Sequence, residues 1–256
     1  MHIAALIAYL QGLRENNDKA WFVMNKPAYD ILRGEFIALV TSVIAELART
    51  DPRIAGVDAK KALFRIYRDI RFANDKTPYK TTFSAAVAEA GHKNSGPMYY
   101  LHIDADGMLH LAAGCYLPER DVLARIRLHV VRDARGFRRV VGNKEFVATF
   151  GALVDSDRLA RLPKGFDVDA PGVAPMVETL KLKSYVVSHN VALLKKSNSR
   201  VMRRLPKTIA RTLATATPLN TWLRAALAAE PAVHESAAAA RSAPTRTKRA
   251  AKIPTS

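Results

Sequence analysis

The chain has 256 residues, 49% hydrophobic and 25% charged, enough for one large domain, with or without appendages, and a sizeable core. Forty Lys and Arg face 23 Asp and Glu, a formal net charge of +17, and the single cysteine, Cys115, excludes an internal disulfide framework and fits a reducing compartment. No stretch approaches the roughly 20 apolar residues that span a bilayer, and the opening MHIAALIAYLQGLREN lacks a basic leader and a small-residue cleavage site, so it reads as helix.

In chain order, residues 4–14 form a short helix closed by Asn16-Asn17-Asp18, and Trp21 and Phe22 follow as an aromatic anchor for the core. Pro27 suits the first turn of a second helix. Tyr29, Leu32, Phe36, Leu39, Val40, Val43 and Leu47 then recur every three or four residues, one apolar stripe that Asp51-Pro52 ends. From Leu63 to Asp69 the period changes to two, as in a half-buried strand with Phe64 and Ile66 toward the core. Ala105-Asp106-Gly107 is a hairpin turn between strands 98–103 and 108–117. In those strands Tyr99 and Tyr100 point to opposite faces, and Cys115 is a packing residue.

Pro118 opens a helix with Glu119 and Asp121 in its first turn and Leu123, Ile126 and Val130 on its buried face. Residues 143–150 and 173–182 read as helices, Ser184–Ser188 as a short strand, and Thr208–Leu227 as an alanine-rich helical closing segment. Residues 229–256 are rich in Ala, Pro, Lys and Arg and too poor in apolar surface to fold; the last twenty carry five positive charges and no acid. Helices first and hairpin-paired strands later predict an α+β fold, a single domain over 1–228 with a mainly antiparallel sheet.

The distinctive constellation is R-I-Y-R-D-I-R-F-A-N-D-K-T-P-Y-K, Arg65 to Lys80. In an extended strand Arg65, Tyr67, Asp69 and Arg71 line one face and Arg68 points the other way, so Arg68 joins them only at a bulge or a sheet edge. Guanidiniums make forked hydrogen bonds that suit phosphate or carboxylate. Asn74-Asp75-Lys76-Thr77-Pro78 is turn chemistry that returns Asp75, Lys76, Tyr79 and Lys80 toward the strand. Two readings stay open. In the first, Arg65, Arg68, Arg71, Lys76 and Lys80 contact an anion, Asp69 and Asp75 orient them or hold a metal, and Tyr67 and Tyr79 donate hydrogen bonds. In the second, Arg–Asp pairs clamp the loop to the sheet. Asp69 and Asp75 suffice for magnesium only if their oxygens are not consumed by Arg68, Arg71 or Lys76; the second reading consumes them, and no metal is assigned. His102 and His110 flank the hairpin turn near Asp104, a spacing that matches no established ligand motif.

The same sixteen residues, Arg65-Ile-Tyr-Arg68-Asp69-Ile-Arg71-Phe72-Ala-Asn-Asp75-Lys76-Thr-Pro-Tyr79-Lys80, resemble the signature of a bacterial family, domain-of-unknown-function family 2461. The stretch from Leu13 to Phe22, Tyr99–Ile103 followed by Leu111–Gly114, Leu162–Phe166 and Leu180–Ser184 resemble its other segments, over about residues 8–228. The resemblance implies one domain, a bacterial cytoplasmic setting and an important central motif, and no particular activity or cofactor. Seven basic residues and no acid between Lys195 and Arg211 depart from the family pattern, which makes Arg200, Arg203, Arg204 and Lys207 a local addition.

The sequence therefore supports a domain that binds or processes an anionic, phosphate-bearing small molecule through the Arg65–Lys80 motif. The alternative is a noncatalytic adaptor whose basic tail binds nucleic acid weakly and without sequence preference. Neither reading involves a membrane.

Overall fold

The computed structural model describes residues 1–89, 91, 96–193 and 199–229, with the backbone alone for 199–203. Leu6, Ile7, Leu10 and Leu13 fall on one face of helix α1 (Ile3–Glu15), and all four are buried. A short helix, α2 (Lys19–Met24), follows because the Asp18 carboxylate accepts the Trp21 N–H at 2.9 Å, satisfying one of its otherwise unpaired first-turn donors. Phe22 is buried, while Trp21 is half-buried with its ring 5.5 Å from Tyr9. The apolar stripe from Leu32 to Leu47 becomes the buried side of α3 (Lys26–Leu47).

After a 3₁₀ turn at Pro52–Ile54 and one turn of helix, α4 (Ala59–Ala62), the chain runs extended beside the sheet. The regular strand expected at 63–69 does not form. Two isolated antiparallel bridges replace it, Leu63 with Ala85 and Tyr67 with Tyr79. A ladder needs a partner of matching length, and this segment passes from one partner to another within four residues. The sheet is antiparallel in the order β1 (Thr82–Val87), β2 (Met98–Asp104), β3 (Met108–Cys115), β4 (Tyr185–Ala192). Asp104 shapes the β2–β3 turn by accepting the Asp106 and Met108 N–H groups at 2.9 Å each, and Gly107 takes a φ of 74°.

Between β3 and β4 lie α5 (Arg120–Arg132), α6 (Ala134–Val141), α7 (Lys144–Phe150) and α8 (Val177–Leu180). Pro118 does not open α5: the helix begins two residues later, with Glu119 at its N-cap. Over 173–182 the chain forms a 3₁₀ turn at Ala174–Met176 and then the single turn of α8. The closing segment is two helices, α9 (Ser199–Ala214) and α10 (Thr217–Ala228), split at Thr215-Ala216. The helices bury one face of the sheet, including Phe83, Leu101, Leu111 and Val187. The fold is α+β with an antiparallel sheet, as expected. Lys195, Lys196, the side chains of Arg200 and Arg203, and the tail from residue 230 onward lie outside the described residues.

Candidate functional site

The central motif is a tight loop strapped to the sheet edge. The Phe64 N–H donates to the Ser84 carbonyl at 2.9 Å, Arg68 N–H to Pro78 at 2.9 Å, and Lys80 N–H to Ile66 at 2.8 Å. Across the loop, the Asn17 side chain donates to the Tyr79 carbonyl and accepts the Tyr79 N–H, both at 3.0 Å. Tyr79 is buried with its ring stacked on Phe22, centroids 4.2 Å apart. Such a pair is worth about 0.5–1.5 kcal/mol beyond its buried area. Tyr79 is therefore a core residue, whereas Tyr67, 51% exposed, leans on it at 5.4 Å.

The alternation in burial holds even without the ladder: Arg65, Tyr67, Asp69 and Arg71 are exposed and Ile66 is buried. The charged ends nevertheless do not all converge. Arg71 grips Asp69 with its Nε at 3.0 Å and Nη2 at 2.7 Å. Arg68 turns the other way, to Asp75 and the Thr77 hydroxyl. Asp75 also accepts the Thr77 N–H at 2.9 Å, and Lys76 Nζ donates to the Ile70 carbonyl at 3.0 Å. The Thr77 N–H and the Arg68 guanidinium hold the Asp75 carboxyl down at about 2; the Arg71 side chain holds Asp69 below its ordinary value. Both carboxylates are thus occupied by cations of their own loop, and no group of three or more His, Cys, Asp or Glu fit to hold a metal occurs among the described residues.

Two motif cations stand apart. Arg65 and Lys80 make no ion pair among the described residues. Lys80 is half-buried with its Nζ over the Phe64 ring, 5.2 Å from the centroid. Burial, and then the neighbouring Arg65 charge, push its pKa down.

Phe64 leads to a cavity of about 720 Å³ on the sheet face that the helices leave open. Its floor is Met98 and Tyr100 of β2, His110, Ala112 and Gly114 of β3, and Val186 and Ser188 of β4. Phe64 forms the β1-side wall. Val154, Ser156 and Asp157 form the opposite one, held where the Val154 N–H donates to the Val186 carbonyl at 2.8 Å. Tyr116 and Leu117, 68% and 50% exposed, close one end, and Leu117 takes a φ of 40° with its N–H on the Ser184 hydroxyl at 2.9 Å. The floor is aromatic: Phe64 meets Tyr100 edge-on at 6.0 Å, and Tyr100 meets the His102–His110 pair, itself stacked at 4.9 Å. Burial and then the proximity of His110 lower the His102 pKa, so His102 is neutral near pH 7. No residue of the motif from Arg65 to Lys80 lines this cavity; Lys80 approaches it only through its contact with Phe64.

The model of a conserved hypothetical protein family, DUF2461, matches residues 5–222. The chain belongs to this family. The match spans the loop, all four strands and the helices through the first half of α10. Comparisons with curated proteins and with solved structures returned no match.

The motif pointed to Lys80 and Arg65, but the cleft beside them has no comparable signal. Its floor residues alternate with core residues along three strands, and only the pairing of β2 and β3, which sets His102 opposite His110 and Tyr100 opposite Ala112, brings them together. The hairpin turn and the period of two were the available clues. Cys115 lies at the opposite extreme, fully buried, with burial pushing its thiol up to about 12.

Proposed function

We propose that the protein binds a small molecule carrying an anionic group, the body of the ligand resting on the open sheet face and its charge meeting Lys80 and Arg65. The observation that carries this reading is Lys80: a half-buried ammonium beside a second cation, with no carboxylate partner among the described residues. A charge in that position is repelled and partly desolvated, and an anion relieves both effects. Lys80 sits on Phe64, and Phe64 walls the cavity, so one ligand reaches both features. Tyr100, Tyr116 and Leu117 favour a ligand whose body is apolar or aromatic, while Ser156, Ser184 and Ser188 offer hydroxyls to its polar edges.

The motif then divides into two parts. Arg68, Arg71, Lys76, Asp69 and Asp75 brace the loop, and Arg65 and Lys80 face the ligand. The adaptor reading draws on the same bracing pairs, which leave three of the five motif cations engaged within the loop. A fluorescent aromatic sulfonate tests the proposal, because it combines a planar apolar body with a fixed negative charge. Lys80→Gln is expected to weaken its binding about tenfold, the scale of one charge-assisted hydrogen bond. Tyr100→Ala is expected to weaken it as well, and Arg71→Ala to leave it unchanged. Equal affinity in wild type and Lys80→Gln would remove the anion from the proposal and favour the adaptor.

A further inference from the structure

A second cationic surface lies on the helical side of the molecule, away from the motif. Arg204, Lys207 and Arg211 of α9 are exposed and separated by three and four residues. At 100° per residue they fall within about 60° of one another, and they span about 10 Å along the axis. The opposite side of the helix, Leu205, Ile209 and Leu213, is buried against the core. Arg135, Arg138 and Arg139 form a matching exposed face on α6, opposite the buried Phe137.

The two stripes approach each other at one end. The Thr215 hydroxyl, one turn beyond Arg211, donates to the Arg211 carbonyl at 3.4 Å, and Thr215 shares a cavity of about 310 Å³ with Arg139, Asn143 and Pro218. Neither helix carries a single carboxylate, and none of the six cations makes an ion pair among the described residues. Among the described residues that line this cavity the one acid is Glu145, exposed in the first turn of α7, where it complements that helix dipole; Asp133 caps α6 at its other end.

From these observations we infer that the joined faces of α6 and α9 bind the phosphate backbone of a nucleic-acid duplex. Six unpaired cations spread over two helices match a repeating polyanion rather than one small anion. A single-stranded ligand would want exposed aromatic rings for its bases, and the large exposed apolar side chains of the described residues lie on other elements. A membrane surface would want an apolar stripe to insert, but the apolar side of α9 is already buried in the fold. The contacts read phosphates and not base edges, so binding is independent of sequence.

The test uses the full chain and fluorescently labelled 20-base-pair DNA and RNA duplexes, with anisotropy followed across a salt series. Two variants are compared with wild type: Arg204→Gln/Lys207→Gln/Arg211→Gln, and a control in which the tail cations Arg241, Arg246, Lys248, Arg249 and Lys252 become Gln. The α9 variant is expected to reduce the slope of log affinity against log salt by about 2 to 3, since each phosphate contact contributes about 0.9. Arg138→Gln/Arg139→Gln is expected to reduce it by a further amount of about 1 to 2. Circular dichroism melts confirm that each variant is folded; if the α9 triple is not, the α6 pair decides. An unchanged slope in the folded α6 or α9 variants, with binding lost only in the tail control, overturns the inference. So does binding to vesicles of anionic phospholipid without binding to either duplex.

Discussion

Asp75 organises the central loop through one carboxylate, which accepts the Thr77 N–H and hydroxyl and meets the Arg68 guanidinium. These partners lower its pKa from the ordinary 3.8 to about 2. A depressed carboxyl pKa contributes stability that is present above the unfolded value and is lost as pH falls through the folded one. The window here therefore runs from about pH 4 down to about pH 2. Asp75→Asn removes the charge, so its Tm deficit against wild type is expected to be full at about pH 6 and to shrink as pH falls through that window. Thermal melts of both proteins between about pH 6 and pH 2.5 check this, and a deficit that stays constant with pH would assign the loss to packing instead. Residue types and order alone made Asp75 legible as turn chemistry, because an Asp two residues before a main-chain N–H is a local arrangement. Which cation it would take was not legible, since Arg68 and Arg71 lie on opposite sides of an extended chain and only the path of the loop selects between them.

At the scale of elements, Gly114 decides how β3 joins β4. Its φ is +124°, and a Cβ there would lie 2.0 Å from the Tyr185 carbonyl oxygen, a main-chain atom that cannot move without breaking the pairing. Gly114→Ala is expected to destabilise the protein by several kcal/mol or to prevent folding, through strain and loss of the ladder together. Urea denaturation measures it, and Ala112→Gly, one strand position pair away on the same open face, serves as the mild comparison. β1 and α6 show why some elements escaped the reading of the chain. Thr82-Phe-Ser-Ala-Ala-Val87 has small residues on both faces and five of its six residues buried, so no period of two appears. Ala134–Val141 is too short for a repeating stripe and is started by Asp133, whose carboxylate accepts the Gly136 N–H at 3.0 Å. The β2–β3 hairpin was legible because turn chemistry and alternation agree there.

Across the whole molecule, a buried polar cluster ties distant parts together. Asp51, just past α3, accepts the Tyr99 hydroxyl at 2.8 Å and the Arg224 guanidinium of α10 at 2.7 Å, although 173 positions separate the two charged residues. Asp51 is 3% exposed and the Arg224 side chain 13%. Asp51→Ala would leave a largely buried guanidinium with Glu89, 3.9 Å away, and a buried phenol with the side chains of Thr217 and Asn220. Removing one member of such a pair costs about 3–5 kcal/mol. Chemical denaturation is expected to show that loss in a single transition, because the cluster joins α3, β2 and α10, which share one core. A small loss confined to α10 would mean that this helix docks independently.

The sequence by itself determined what depends on neighbours along the chain. It set the apolar stripe of α3, the hairpin of β2 and β3, the α+β class, the turn at Asp75, the burial of Cys115 and Phe22, and membership of the family. These follow from periodicity, turn propensity and motif order, all readable at short range. Only the tertiary structure decided that Asp69 and Asp75 are held by cations of their own loop, that Lys80 settles on Phe64, and that Tyr100, His110 and Ser188 share a cavity floor. Those outcomes rest on strand register and on the path of a loop across a sheet edge, where residues far apart in the chain compete for the same partner and the closest arrangement prevails.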